Sequence, residues 1–192
     1  MGPFQTLVDA PGLDVFFVAE TTGSVVDHTG KFKLEATYAF SEVLRADVIV
    51  VPGGMADSDA TSDDALVQWI KAVHPTTEWT TSVCTGSIYL ALAGLLSGVR
   101  ATTHWARYER LRALGAHPMA ERVVIDGKII TAAGVSSGID MGLTLVAQLL
   151  GDELAKVIQL AIEYDPQPPF DSGSLAKASN ETIELVSTLF AP

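Results

Sequence analysis

Residues 79–88 read Trp79-Thr80-Thr81-Ser82-Val83-Cys84-Thr85-Gly86-Ser87-Ile88, a β-rich run that passes directly into a helix-forming segment. The junction falls at Cys84. A turn from a buried parallel strand into a helix lifts one side chain over the carboxyl edge of the sheet, where open α/β sheets bind their ligands. This stretch therefore predicts an α/β fold with a cysteine at the ligand-binding edge.

Strand-like and helical segments alternate on both sides of this stretch, which indicates a mostly parallel sheet covered by helices. Strands are predicted at Leu13–Ala19, Ala46–Val51, Trp79–Val83 and Ile129–Ala133, with edge or hairpin strands at Lys31–Tyr38 and Arg122–Ile125, the latter followed by a turn at Asp126-Gly127. Helices are predicted at Ala65–Val73, Thr85–Leu96, Ser137–Leu150, Asp152–Glu163 and Asn180–Phe190. A strand-like segment is also expected at Arg100–Trp105.

Two helix starts carry a capping-box pattern, Thr61-Ser62-Asp63-Asp64 and Ser137-Gly138-Ile139-Asp140. Asp57, Asp59, Asp63 and Asp64 are interpreted as helix-start charges. With 192 residues and no linker-like stretch, residues 1–192 are expected to form a single domain.

The composition excludes several classes of function. The net charge of −11 argues against nucleic acid and anionic membrane surfaces as partners. We expect no membrane span, because no apolar run reaches about 18 residues. One cysteine cannot form an internal disulfide, and four scattered histidines without cysteine pairs predict neither a metal site nor a cofactor. This cysteine usage is typical of a reducing cytoplasm.

Cys84 is the strongest candidate for chemistry. It precedes a predicted helix, whose first N–H groups and partial positive charge favour thiolate over thiol. Gly86 and Ser87 leave the approach to the sulfur uncrowded. The alternative is a small buried cysteine that only packs.

Two further segments are candidates for the same edge of the sheet. The strand Val48–Val51 ends in Pro52-Gly53-Gly54-Met55, and glycines there let backbone N–H groups form an oxyanion hole, although a simple tight turn is the alternative. His104 follows the cysteine helix and could act as a base or hydrogen-bond donor. It could equally be a core histidine that holds the next loop.

Together these segments resemble the ThiJ/PfpI superfamily of flavodoxin-like cysteine proteins, and within it the isonitrile hydratase branch. The matching stretches are Val50-Val51-Pro52-Gly53-Gly54, Thr81-Ser82-Val83-Cys84-Thr85-Gly86-Ser87, Ala93-Gly94-Leu95-Leu96, Arg100-Ala101-Thr102-Thr103-His104-Trp105-Ala106, Leu114-Gly115-Ala116, Glu121-Arg122-Val123-Val124, Gly134-Val135-Ser136-Ser137-Gly138-Ile139-Asp140 and Glu163-Tyr164-Asp165-Pro166-Gln167-Pro168-Pro169-Phe170. The resemblance covers nearly the whole chain.

The resemblance implies a flavodoxin-like three-layer α/β/α sandwich, a small-molecule substrate and a homodimer. By position, Cys84 matches the family nucleophile, and the backbones of Gly53 or Gly54 and of Thr85 match the groups that line its oxyanion pocket. Peptidase-like members place histidine directly after the cysteine. This chain has Thr85 there, which argues against a peptidase triad.

In hydratases of this family a core strand ends at an acid just before a Gly-Pro pair. Gly2-Pro3 is similar to that pair, so the strand and the acid are expected to be absent from this chain. The reaction implied is hydration of an isocyanide to an N-substituted formamide through a cysteine thioimidate. The alternatives are a glyoxalase- or deglycase-like activity and a non-catalytic ligand- or redox-sensing domain.

Overall fold

Short strands and helices alternate along residues 1–27, 29–54, 60–62 and 64–189, which the computed structural model describes. The strands are β1 (Val18–Ala19), β2 (Gly23–Val26), β3 (Lys33–Ala36), β4 (Tyr38–Ala39), β5 (Val48–Val51), β6 (Trp79–Val83), β7 (Arg100–Ala101), β8 (His117–Pro118), β9 (Val123–Asp126) and β10 (Ile129–Ala132). The helices are α1 (Gly2–Leu7), α2 (Ala65–Val73), α3 (Gly86–Leu92), α4 (Tyr108–Ala113), α5 (Ser137–Leu150), α6 (Asp152–Ala161) and α7 (Asn180–Leu189). The predictions that fall on Met55, Asp57, Asp59, Asp63 and Phe190 lie outside the described residues.

The main sheet runs in the order β5-β6-β10-β9. The strands β5, β6 and β10 are parallel, and β9 pairs antiparallel with β10. Val51 lies opposite Ser82, and Val83 lies opposite Ala132, so the carboxyl ends of the three parallel strands meet at one edge. The prediction of a mostly parallel sheet is confirmed, and Cys84 directly follows β6 at that edge.

Helices cover both faces of this sheet, as the predicted three-layer sandwich requires. Side chains of β5 alternate between the faces, with Ile49 and Val51 in one core and Val48 and Val50 against the other, because successive strand residues point in opposite directions. Helices α2, α3 and α4 contribute buried side chains to the first core, and α1, α5 and α6 contribute buried side chains to the second. Both cores lie within the compact unit Met1–Ile162.

The residues Glu163–Pro192 form a second compact unit, which contains α7. Within it, Lys177 forms an ion pair with Asp171. The single domain predicted over residues 1–192 stays a prediction.

Two predicted strands are wrong in extent. Of Leu13–Ala19, only β1 pairs, and it does so with β4 in a separate two-stranded sheet. Of Arg100–Trp105, only β7 pairs, and Trp105–Arg107 forms a 3₁₀ turn. The predicted hairpins are confirmed: β3 pairs antiparallel with β2, and Gly127 turns the chain from β9 to β10 with a φ of 58°.

The helix after Cys84 ends earlier than predicted, at Leu92 instead of Leu96. Gly94 has a φ of 78°, its N–H donates to the carbonyl of Ala91, and the N–H of Leu95 donates to the carbonyl of Leu90. This pair of bonds is a Schellman motif, which satisfies the last carbonyls and turns the chain away. The residue that stops the helix is therefore Gly94.

Of the two predicted capping boxes, one forms in part and the other does not form. Asp64 accepts hydrogen bonds from the N–H and the hydroxyl of Thr61 before α2 begins, which is half of the predicted reciprocal pattern. At α5 the prediction is wrong. The N-cap is Ser136, it makes no side-chain cap hydrogen bond, and the carboxylate of Asp140 pairs instead with the guanidinium of Arg122.

Candidate active site

The turn between β6 and α3 holds Cys84 in an unusual backbone conformation. Its φ is 58°, in the left-handed region that side chains with a Cβ rarely adopt. Thr85 follows as the N-cap of α3, with φ of −71° and ψ of −3°. Such a backbone outlier is typical of a strained strand-to-helix elbow, and the thiol is half-buried at the carboxyl edge of the sheet.

Hydrogen bonds fix the peptide groups on both sides of Cys84. Its N–H points at the end of β10 and donates to the carbonyls of Ala132 and Ala133, at 3.0 and 2.8 Å. Its carbonyl accepts from the hydroxyl of Thr103 at 3.0 Å and from the hydroxyl of Ser87 at 3.2 Å. The strained conformation is therefore stabilised by three separate parts of the chain.

The loop after β5 packs against this elbow, as the sequence predicts. A Cβ placed on Gly53 would come 2.8 Å from the Cβ of Cys84 and 2.7 Å from the nitrogen of Thr85, so only glycine fits without a shift. A Cβ on Gly86 would overlap with the carbonyl oxygen of Val51. The two glycines let the end of β5 approach the start of α3.

Thr85 links the two segments through its side chain. Its hydroxyl accepts from the N–H of Gly54 at 2.9 Å and donates to the carbonyl of Gly54 at 2.8 Å. The structure thus brings together Gly53, Gly54, Cys84 and Thr85. Because the N–H of Gly54 already has a partner, Gly53 and Thr85 are the better candidates for oxyanion donors.

His104 lies one residue beyond Thr103. Its Nδ1 accepts from the N–H of Ala106 at 3.4 Å as the N-cap of the 3₁₀ turn, and its ring lies 5.4 Å from the ring of Trp105. A Cβ on Gly134, just beyond the end of β10, would come 3.4 Å from Cδ2 of His104. The ring is therefore close to the segment that follows β10, next to the carbonyls that hold Cys84.

The two side chains that hold the carbonyl of Cys84, Thr103 and Ser87, were not predicted from the sequence to do so. Thr103 belongs to the Thr-Thr-His-Trp stretch, in which only the histidine was singled out. Ser87 stands three residues after Cys84, a spacing from which a serine hydroxyl can reach back to a backbone carbonyl. That spacing is a signal that could have identified Ser87.

Among the described residues, no three His, Cys, Asp or Glu side chains lie close enough together to hold a metal ion. No helix in the same ranges has the length and apolar character needed to cross a bilayer.

The sheet is mostly parallel and flanked by helices, and Cys84 adopts the left-handed conformation between a strand and a helix. These features define a class of α/β proteins with a cysteine elbow. Comparison with protein families narrows this class, since residues 1–148 match the model of the DJ-1/PfpI family. The chain belongs to the DJ-1/PfpI family, which confirms the ThiJ/PfpI resemblance.

Individual relatives agree with this assignment. The chain is 40% identical over 191 residues to the isonitrile hydratase of Pseudomonas putida, an alignment that covers 100% of this chain and 83% of the relative. It is 32% identical over 142 residues to the HTH-type transcriptional regulator CdhR of Pseudomonas aeruginosa, covering 72% of this chain and 41% of the regulator. Among solved structures, a ThiJ/PfpI family protein from Pseudomonas syringae superposes with a TM-score of 0.88 at 35% identity, covering 97% of this chain and 79% of that protein.

Proposed function

We propose that this protein is an isonitrile hydratase, a hydro-lyase that adds water to an isocyanide to give an N-substituted formamide. The observation that carries the proposal is the 40% identity to an isonitrile hydratase over the whole of this chain. The elbow at Cys84 supports it, because the half-buried thiol at the sheet edge supplies a nucleophile where α/β folds bind small molecules.

The first chemical step forms a bond between the sulfur of Cys84 and the terminal carbon of the isocyanide. That carbon carries a lone pair and accepts a proton as the sulfur–carbon bond forms. The product is a thioimidate, in which nitrogen is doubly bound to a carbon that now bears one hydrogen. The proton lost by the thiol is thus the proton gained by carbon, and no redox change occurs.

The second step consumes water. Water adds its oxygen to the thioimidate carbon and a proton to nitrogen, giving a tetrahedral intermediate. Loss of the sulfur–carbon bond returns the hydroxyl proton to Cys84 and releases the formamide. Each step moves a proton to or from a reacting atom, so a positioned acid or base accelerates it, and His104 is our candidate for that role.

Backbone groups next to the thiol are suited to stabilise negative charge that develops during these steps. Thr85 follows Cys84 directly and Gly53 packs against it, and the Thr85 hydroxyl is hydrogen-bonded to the neighbouring Gly54. Preorganised donors of this kind stabilise charge without reorganising at the moment of reaction. We assign Gly53 and Thr85, with Gly54 as a support, to an oxyanion pocket.

The proposal is tested by incubating the protein with cyclohexyl isocyanide and following N-cyclohexylformamide by gas chromatography. We expect turnover by the wild-type chain and none by Cys84→Ser, because a hydroxyl without a strong base is a poor nucleophile. A Cys84→Ser variant that forms formamide at the wild-type rate would show that another group carries the reaction.

Two alternative functions are tested by assaying the same protein with methylglyoxal as well as with the isocyanide. A glyoxalase-like activity predicts lactate from methylglyoxal in place of formamide from the isocyanide. A ligand- or redox-sensing role is favoured by one observation, the 32% identity to a transcriptional regulator over 72% of this chain. That role predicts neither product. The net charge of −11 argues against direct DNA binding by this chain.

We further propose a homodimer acting in the cytoplasm, where a free thiol stays reduced. The support for self-association is the family resemblance, which implies a dimer, and the 80% exposed Phe170 is an apolar side chain that a second copy would remove from water. Light scattering at micromolar concentration should give twice the mass of 20.3 kDa. A mass of one chain would refute the dimer.

A further inference from the structure

The carbonyl of Cys84 is the acceptor of two hydroxyl groups that come from different elements. Ser87 lies in the first turn of α3 and so moves with the elbow itself. Thr103 is 19 residues away in the chain and reaches the elbow from the segment after β7. Both side chains are fully buried.

The segment that carries Thr103 is itself anchored to the sheet. The N–H of Thr102 donates to the hydroxyl of Thr131 in β10 at 2.8 Å. The end of the same strand accepts the N–H of Cys84 through Ala132 and Ala133. Hydrogen bonds therefore link Cys84 to β10, β10 to Thr102, and Thr103 to the carbonyl of Cys84. Together with the backbone between these residues, they form a closed ring.

We propose that Thr103 is a positioning residue whose hydroxyl, together with that of Ser87, holds the carbonyl of Cys84 and thereby keeps the thiol presented at the site. A side chain with a Cβ resists the left-handed conformation, so the elbow persists only because surrounding contacts fix it. Loss of the Thr103 bond removes the one side-chain bond described at the Cys84 carbonyl that comes from outside α3. The inference rests on the proposed function only in that Cys84 is the reacting group.

The neighbouring threonine offers a matched control. Thr102 is as deeply buried as Thr103, and within the described part of the chain its hydroxyl has no hydrogen-bond partner. Replacing threonine by valine keeps the shape and removes the hydroxyl at either position. Only Thr103→Val removes a bond to Cys84, and Thr103→Ser keeps the hydroxyl while losing the methyl group.

The readout is the rate of alkylation by iodoacetamide, which in this chain has one thiol to modify. A misplacement of about 1 Å can cost 100-fold, so we expect Thr103→Val to lower the alkylation rate about 10- to 100-fold. Thr103→Ser should restore most of it, and Thr102→Val should match the wild type. Melting temperatures measured alongside show whether a slowed variant is also generally destabilised.

Equal alkylation rates in Thr103→Val and Thr102→Val would overturn the inference, as would a Thr103→Ser variant as slow as Thr103→Val. If Thr103→Val does not fold, Ser87→Ala decides: a slowed alkylation supports the inference, and a wild-type rate overturns it. Alkylation needs no isocyanide. A protein that shows these contrasts but forms no formamide would refute the proposed function and leave the positioning role intact.

Discussion

Gly53 lies directly against Cys84, so that a Cβ on the glycine would stand 2.8 Å from the Cβ of the cysteine. The two residues are 31 positions apart and come together because β5 and β6 are parallel neighbours whose carboxyl ends meet at one edge. The close approach leaves room for backbone and excludes a side chain. It makes the loop after β5 one wall of the space around the thiol.

Replacing Gly53 with alanine should therefore disturb the site. The added carbon meets the backbone of Thr85 and the Cβ of Cys84, and such overpacking costs about 1–3 kcal/mol. We expect Gly53→Ala to lower both the free energy of unfolding in urea and the rate of isocyanide hydration. Gly173→Ala is the control, because a Cβ there meets none of the described atoms within 4 Å. Equal losses in the two variants would contradict this packing argument.

Backbone strain at Cys84 can be measured by comparing two variants that both lack the thiol. The left-handed conformation costs a residue with a Cβ about 1–2 kcal/mol, whereas glycine adopts it freely. Glycine also loses about 0.5–1 kcal/mol more in chain entropy on folding. We expect Cys84→Gly to exceed Cys84→Ala in the free energy of unfolding, by up to about 1.5 kcal/mol. A Cys84→Ala variant that is the more stable of the two in urea would show that the elbow is relaxed.

The elbow could be predicted because its signals are local. A β-rich run, a cysteine and Gly86 follow one another within residues 79–88, and Pro52-Gly53-Gly54 follows a strand of its own. Parallel strands bring such carboxyl ends together, so their meeting follows from the fold class. The bond from Thr103 to Cys84 could not be predicted in this way, because it depends on the path of the chain after β7.

Helix α1 could not be predicted from the sequence either, because it too depends on contacts between distant parts of the chain. The helix α1 has six residues, too few to show an apolar period, and its position depends on packing against α5. There a Cβ on Gly142 would overlap with the hydroxyl of Thr6, and one on Gly138 would come 3.1 Å from Pro3. A helix held by such contacts is a tertiary feature that propensity does not report.

A histidine far from the elbow predicts how stability depends on pH. Burial, and then the ammonium group of Lys128, lower the pKa of His74 from its usual 6.5. The half-buried ring shares a 2.8 Å hydrogen bond with Thr80, and Lys128 donates to the carbonyl of His74. The unfolded chain therefore binds a proton at a higher pH than the folded chain. This contribution to stability is complete above the unfolded pKa and is lost as pH falls through the folded pKa.

Urea unfolding at pH 7.5 and pH 5.0 checks this direction. We expect the wild type to lose more stability between the two pH values than His74→Asn, which keeps a polar side chain and cannot titrate. Comparing the two proteins cancels the acidic groups that both contain. Parallel losses would mean that His74 binds its proton equally well in both states.

The assignment of proton transfer to His104 gives the last prediction. His104→Asn keeps a side chain that can cap the 3₁₀ turn, because asparagine is a strong N-cap residue, but it removes the titratable ring. A positioned acid or base contributes about 100- to 10,000-fold, so we expect kcat for cyclohexyl isocyanide to fall by about that factor with little change in melting temperature. His117→Asn is the matched control, since that histidine is exposed on β8. If both variants form formamide at the wild-type rate, His104 serves the fold as a cap, and another group must carry the proton to the isocyanide carbon.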